Sequence, residues 1–482
     1  MEKQRSSTLK IYAEYRDMNI AVIGLGVTGL ACLRFLLEQG AKVCGFDQKP
    51  INTEDLLSSI TFDNVQSNSE DFSASLDFER LSSDTSFSDF DLVVLSPGIN
   101  PAHPAISPLM GNKKLVSDLD LFARHNHIPC IGVTGSNGKS TVVDMLQKAL
   151  MACGKKALLG GNFGTSAIDL LGIEADYIVL ELSSFQLQIS QQIPLAVACI
   201  LNVTEDHIDR HGSLENYALA KQRIFEHAAW GVFNRDDTAT LPQQDKEQSD
   251  ELANNKVQMS ASVGITSTLN TADDAYGNMA QFWQDSRAIY FDKTSLIYAN
   301  ELTMPMSHMM LNMQFVLAIV HSLGLPLGPV VLALKAYQGL ANRFELVRED
   351  EQVIYINDSK ATNPGACLAA LNCAYNLQWN IILIAGGDAK GADLRVLQNT
   401  INMHVSLSIV FGKDADKFLP LLKHVKKAEN LNHAIKLAEQ AARQQSGKTA
   451  ILLSPACAST DMFANYVARG DEFRRTVLEM AA

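Results

Sequence analysis

Between positions 130 and 141 the chain reads CIGVTGSNGKST. A short apolar run ends in a glycine-rich turn, Gly135-Ser136-Asn137-Gly138, followed by Lys139, Ser140 and Thr141. Behind it Val142, Val143, Leu146, Ala149 and Leu150 recur on one face of a helical pattern that Gly154 closes. Strand, loop and helix in that order make a phosphate cradle: the loop amides converge on phosphate oxygens and the helix N-terminus adds its positive end. A lysine placed like Lys139 reaches the terminal phosphates, and a hydroxyl like that of Ser140 ligates Mg²⁺. The first glycine of the general pattern would fall where Val133 stands, so the reading rests on the flanking strand and helix. The plain alternative is a glycine–serine turn with a solvated lysine.

Further polar groups follow the ends of apolar runs. Residues 177–180 read as a strand ending in Glu181, where a carboxylate after a phosphate loop binds Mg²⁺; a lone surface glutamate is the simpler alternative. Residues 195–201 run into Asn202-Val203-Thr204-Glu205-Asp206-His207-Ile208-Asp209, either a metal shell or a polar loop with a helix cap at Thr204. Lys221 lies on a helix predicted over 214–227 and by itself reads as a solvated charge. Near the N-terminus, a strand over 18–23, the turn Gly24-Leu25-Gly26-Val27-Thr28-Gly29, a helix over 30–39 and a strand over 42–46 ending at Asp47 make a βαβ unit. It resembles the dinucleotide fingerprint. Such a turn would hold NAD, or the pyrophosphate of another ligand, or be only a tight turn that needs small residues. Residues 67–88 read as loops, and a strand over 91–95 runs into Ser96-Pro97-Gly98-Ile99, at the sheet edge where ligands of open α/β folds bind.

To act together these turns need parallel strands with a common carboxyl edge. Gly160-Gly161-Asn162 is one more such turn. Helices are predicted over 309–323, 326–338 and 434–444, with a linker at 339–342. Strands over 352–356, 381–385, 408–411 and 450–453 each end in glycine or polar residues. The pattern is α/β, in three successive α/β domains. They are a Rossmann-like N-terminal domain (1–117), a P-loop-type central ATPase domain (118–339) and a Rossmann-like C-terminal domain (340–482). The 482 residues are too many for one core. A formal charge of −13 argues against nucleic acid as a partner and leaves small anionic substrates open. Eight cysteines without a CxxC pair suit reduced thiols in a cytosolic protein. With no signal-like N-terminus and no apolar run of the ~18 residues needed to span a bilayer, a soluble cytoplasmic protein without membrane partners is expected.

Several stretches together resemble the Mur ligases, the ATP-dependent amide ligases of bacterial cell-wall precursor synthesis. They are Gly135 to Thr141, ELSSFQL from Glu181, LNVTEDHID from Leu201, Arg343-Phe344-Glu345, NDSKATN from Asn357, Gly386 to Asp388 with Lys390, and LSPACAS from Leu453. The likeness is greatest to the D-glutamate-adding branch and covers all three domains. It implies that ATP phosphorylates the carboxylate of the L-Ala on UDP-N-acetylmuramoyl-L-alanine. D-glutamate then attacks the acyl phosphate through its amine. It implies Lys139 on the γ-phosphate, Ser140 and Glu181 on one Mg²⁺ and His207 on a second, with Lys221 carbamylated by CO₂ into a carboxylate-like metal ligand. Asn162 would touch the substrate or the phosphates. Arg343 would meet the nucleotide phosphates, Asp358 the ribose and Asn312 the adenine side. Lys360, Thr362, Lys390 and Ser459 would hold the two D-glutamate carboxylates, with Tyr466 where the family usually has Phe. The first glycine turn (Gly26, Val27, Thr28, Gly29) with Asp47, Ser96, Pro97 and Gly98 would bind the UDP part rather than NAD.

The chain departs from the family pattern at Asn342, where relatives carry His, and at Met309, where they carry Asn; residues 237–300 carry unexplained extra length. A monomer is expected, whose C-terminal domain closes about a hinge at 339–342 to exclude water from the acyl phosphate. Sister ligases adding L-Lys or diaminopimelate, and folylpolyglutamate synthase, are the near rivals; no DNPR-type stretch of the diaminopimelate kind is present. From the residues alone, an NAD-dependent oxidoreductase and a nucleotide-switched binding protein also stay open.

Overall fold

Runs buried on both faces set the architecture. Asn19–Ile23, Leu92–Leu95, Cys130–Thr134, Leu195–Ile200, Val353–Asn357 and Thr449–Leu453 are apolar and buried almost throughout, as parallel strands covered by helices must be. The computed structural model describes residues 13–49, 76–191, 193–204, 206–242, 261–266, 281–302 and 307–480. Glu205 of the acidic turn and much of the extra length after 237 lie outside them. The chain forms two compact units, Met1–Tyr337 and Gln338–Ala482.

The first unit holds two sheets. One is wholly parallel, in the order Leu76–Arg80, Lys42–Asp47, Asn19–Ile23, Leu92–Leu95, Leu115–Ser117. The other has nine strands, with Cys130–Thr134 between Leu195–Ile200 and Tyr177–Glu181. It is parallel except at the edge, where Gln281–Gln284, Ala288–Phe291 and Thr294–Tyr298 pair antiparallel. The second unit is a six-stranded sheet, parallel apart from the antiparallel edge strand Glu345–Glu349.

Several elements differ from the sequence-based expectation: Gly160 and Gly161, read as part of a turn, end the strand Ala157–Gly161. Leu76–Arg80 is a strand inside the stretch read as loops; Leu76 and Phe78 alternate with acids over too few positions to stand out from the polar run around them, and its pairing with Lys42–Asp47 makes it. The helix expected over 214–227 ends at Gln222 and passes through a 3₁₀ turn, Arg223–Phe225, into the unforeseen strand Ala228–Asn234. Thr204 caps no helix: its carbonyl accepts from Ser136 Oγ at 3.0 Å.

Polar ties join the two sheets of the first unit. Ser117 and Asp120 form a capping box that starts the helix Asp118–His125. Asp120 Oδ1 accepts the Gln191 amide at 2.7 Å, and Arg34 pairs with Asp169 at 2.8 Å. Asp118 is less well served. It is buried, Oδ2 accepts a long 3.4 Å bond from Gln186 Nε2, and Oδ1 has no partner in hydrogen-bond range. Burial pushes its carboxyl up to about 7 from an ordinary 3.8.

Between those values the folded chain keeps a proton that the unfolded chain has released. The site therefore costs stability progressively as pH rises from about 4 to 7, and by a constant amount above. Asp118→Asn removes the buried charge. Its unfolding free energy should exceed that of the parent by about 1–3 kcal/mol at pH 8, the gain shrinking towards pH 5. Urea melts of both proteins at the two pH values check this; an equal difference at both overturns it.

Candidate functional site

The strand Cys130–Thr134 delivers its loop to the carboxyl edge of the nine-stranded sheet. Gly138 heads the helix Lys139–Ala152 at φ 84°, and a Cβ there would stand 2.8 Å from Asn312 Oδ1. Only glycine suits both the dihedral and the close approach. The loop is tied to the turn after Leu195–Ile200: the Ser136 amide donates to Asn202 O at 2.9 Å and the Asn137 amide to Asn202 Oδ1 at 2.8 Å. Lys139 Nζ donates to the carbonyls of Gly135 (2.8 Å) and Ser136 (3.0 Å). Thr141, half-buried, follows on the helix.

The predicted acid ends its strand beside the one that delivers the loop. Val133 and Glu181 are neighbours in register. Glu181, 2% exposed, accepts from Ser140 Oγ at 2.6 Å on one oxygen and from Asn162 Nδ2 at 2.7 Å on the other. Three sequence-predicted residues from three separate strand ends thus meet at one carboxylate.

Lys221 is the largest departure from its local reading. It is 1% exposed; Nζ donates to Gly135 O at 3.0 Å and lies 4.3 Å from the centroid of the Tyr217 ring. Burial first, and the like charge of Lys139 second, bring its ammonium down to about 6, against the opposing pull of Asp206 and Glu181. His207 sits in the left-handed region at φ 52° and its side chain is half exposed, 4.8 Å by ring centroid from Phe185.

In the N-terminal sheet the first glycine turn closes on itself. A Cβ on Gly29 would fall 1.8 Å from Gly24 O. Ser96 Oγ donates to Gly24 O at 2.7 Å and Asp47 Oδ2 accepts the Leu25 amide at 2.8 Å. Ser96 and Asp47 are therefore braces of the turn. Gly26, Val27 and Gly98 are exposed, Thr28 and Pro97 half-buried. The helix Val27–Glu38 has Gly26 as its N-cap and no side-chain cap.

The second unit carries the remaining residues. Asp358 is buried; its oxygens accept from the Phe344 amide (3.1 Å) and Ser454 Oγ (2.8 Å), and burial pushes its carboxyl up to about 7. The ribose contact expected of it would compete with these bonds. Asn342 is buried at φ 63°, its side chain accepting from Asn357 Nδ2 at 2.8 Å; asparagine tolerates that conformation. The Arg343 amide donates to Leu340 O at 3.2 Å. Lys360 Nζ lies 4.2 Å from the Tyr466 ring centroid, and the Thr362 amide donates to Lys360 O at 2.8 Å. Lys390, exposed at φ 49°, donates its amide to Asp388 Oδ1 at 2.9 Å. Asp388 pairs antiparallel with Ala458, which joins the turn that carries Lys390 to the stretch that carries the buried Ser459.

Sequence reasoning missed Tyr217, Arg210 and Arg469. Tyr217, one helical turn before Lys221, carried an i, i+4 signal. Arg469 carried none: it is wholly buried, donating to Ser359 Oγ (3.0 Å), Ser359 O (2.8 Å) and Cys457 O (3.1 Å).

Comparison with known proteins agrees with this layout. Residues 18–116 match the "Mur ligase MurD-like, N-terminal domain" model, 133–320 the "Mur ligase middle domain" and 342–457 the "Mur ligase, glutamate ligase domain". A UDP-N-acetylmuramoylalanine--D-glutamate ligase of Pseudoalteromonas translucida is 36% identical over 480 residues, 98% of this chain and 99% of that protein. One from Vibrio vulnificus is 36% identical over 470 residues, 96% and 98%. Among solved structures, the UDP-N-acetylmuramate-alanine ligase MurC of Thermotoga maritima superposes with a TM-score of 0.55 at 18% identity over 96% of this chain and all of that one. The MurF ligase of the same organism in complex with ADP gives 0.52 at 14% over 98% of each.

Gly138→Ala should weaken ADP binding about tenfold or more, since the added methyl meets both a positive φ and Asn312. Titration calorimetry measures it; an unchanged dissociation constant overturns this account of the loop.

Proposed function

The chain belongs to the Mur ligase family, and we infer that it joins D-glutamate to UDP-N-acetylmuramoyl-L-alanine with ATP, in peptidoglycan precursor synthesis. The observation that carries this reading is identity of about a third, end to end, with D-glutamate ligases. The γ-phosphoryl group passes to the L-Ala carboxylate and ADP leaves. The D-glutamate amine then attacks the acyl phosphate, forming the amide and releasing phosphate and a proton. We assign 1–117 to the UDP-sugar, 118–339 to ATP and 340–482 to D-glutamate and part of ATP.

Each step builds negative charge, so fixed cations and directed donors carry the catalysis. Lys139 holds the γ-phosphate from the loop of Gly135 to Thr141, and Asn312 limits the nucleotide side behind Gly138. Asn162, already oriented by Glu181, presents its amide to the acyl donor. Arg343 and Asp358 belong to the nucleotide. Lys360 and Lys390 supply point charges, and Thr362 and Ser459 directional hydroxyls, for the two D-glutamate carboxylates. Tyr466 stacks under Lys360 and places it. The outward turn of Gly26 to Gly29 and the turn Ser96 to Gly98 take the pyrophosphate and uridine, with Asp47 and Ser96 acting through the backbone they brace.

Among the described residues no three His, Cys, Asp or Glu side chains gather for a metal ion. The donors of Ser140 and Glu181, 2.6 Å apart, are hard oxygens that suit Mg²⁺ beside phosphates. We assign them to one Mg²⁺, and His207 with a carbamate on Lys221 to a second. Bound Mg²⁺ would neutralise charge on the transferring phosphoryl group. The depressed Lys221 amine is neutral at pH 7 to 8, the form that attacks CO₂, creating an N–C bond and releasing a proton.

Phosphate release should require both UDP-N-acetylmuramoyl-L-alanine and D-glutamate in an amino-acid panel; equal rates with L-glutamate, or none with D-glutamate, overturn the assignment. Lys221→Ala should lower turnover about 100-fold or more, with short carboxylates restoring part of it. An active variant, together with no ¹³CO₂-derived carbamate signal in the parent, removes the role of Lys221.

A further inference from the structure

We propose that Arg210 is a positioning residue that couples the sugar-nucleotide turn to the metal-side histidine. This rests on the ligase reading for what the turn and His207 bind. Arg210 Nη2 donates to Ile99 O at 2.8 Å and to Pro97 O at 3.4 Å. These carbonyls flank Gly98, whose Cβ position faces open space. From the other side the same turn is braced by Ser96 on Gly24 O. The guanidinium also stacks 4.7 Å over the Phe185 ring, and Phe185 in turn contacts the rings of His207 (4.8 Å) and His211 (5.6 Å).

The mount behind Arg210 is stiff. Its amide donates to His207 O at 3.0 Å, within the single turn Ile208–His211. His211 Nε2 lies 3.0 Å from Ser184 Oγ, next to Phe185. One side chain thus links two carbonyls of the N-terminal sheet to an aromatic and a histidine of the central sheet. Arginine suits the place because a planar fork donates along its edge while its face stacks; a lysine ammonium would do one or the other. A ligand that orders the turn of Ser96 to Gly98 therefore fixes Arg210, and through Phe185 and the one-turn helix it fixes His207.

The test is direct binding combined with kinetics. In Arg210→Ala the dissociation constant for UDP-N-acetylmuramoyl-L-alanine should rise about tenfold or more, with ADP affinity and the KM for D-glutamate within about twofold of the parent. The Mg²⁺ concentration for half-maximal rate should also rise, which a merely structural role would not produce selectively. Arg210→Lys should remain impaired. Phe185→Leu, which keeps the carbonyl bonds, should raise the Mg²⁺ requirement with a smaller effect on UDP-substrate binding, and it serves if Arg210→Ala does not fold. Equal losses for all three substrates, or no change in any, overturn the proposal. A parent that binds the UDP-substrate but releases no phosphate with D-glutamate overturns the ligase reading while the binding comparison still decides the role of Arg210; a parent that does not bind it overturns both.

Discussion

Two lysine ammonium groups converge on one carbonyl oxygen. Lys139 and Lys221 both donate to Gly135 O, at 2.8 and 3.0 Å, which places them within about 6 Å of each other. Two unit charges at that separation repel by about 3 kcal/mol at an effective dielectric of 20. The one that is 1% exposed yields. Burial first, and this repulsion second, bring the Lys221 ammonium down to about 6, and the Tyr217 ring beneath it offers the cation only a modest return. A buried neutral amine beside a phosphate loop is an unusual thing to build, and much of the first unit is arranged around it. Tyr217 OH lies 3.2 Å from Ser136 Oγ, and Ser136 ties the loop to the turn that carries His207.

That arrangement is possible because the sheets are parallel. Within each sheet the parallel strands end at one edge, so short turns of unrelated sequence position are brought within hydrogen-bonding reach. Glu181 gathers Ser140 and Asn162 in this way, and in the second unit the bridge of Asp388 with Ala458 joins two more turns. Backbone strain collects at these turns. His207, Asn342, Phe344, Lys390 and Ala456 all hold positive φ without being glycine, at about 1 kcal/mol or more each. The buried hydrogen bonds of Asn342 and Asp358 show what holds the chain there.

The family resemblance and the geometry bear on different residues. Asn342 departs from the family pattern, yet it is a well-bonded buried residue that joins the Asn357 side chain to the Lys360 amide. Asp358 and Ser96, read as ligand contacts, have their oxygens engaged by the protein's own groups. A motif residue can matter by shaping a turn as much as by touching a ligand.

The class of reaction followed from the resemblance of its motifs to the Mur ligases, while by itself the sequence determined the strand–loop–helix at Gly135 to Thr141, the glycine turn at Gly24 to Gly29 and most core strands. These are local patterns: apolar runs, glycines at fixed offsets, acids at strand ends. Only the tertiary structure decided that Lys221 is buried rather than solvated, that Arg210 reaches the Ile99 carbonyl across 111 positions of sequence, that Arg469 sits in a core, and that Leu76–Arg80 is a strand. Burial and long-range hydrogen bonding depend on which surfaces meet when sheets and helices pack, and no local spacing encodes that meeting.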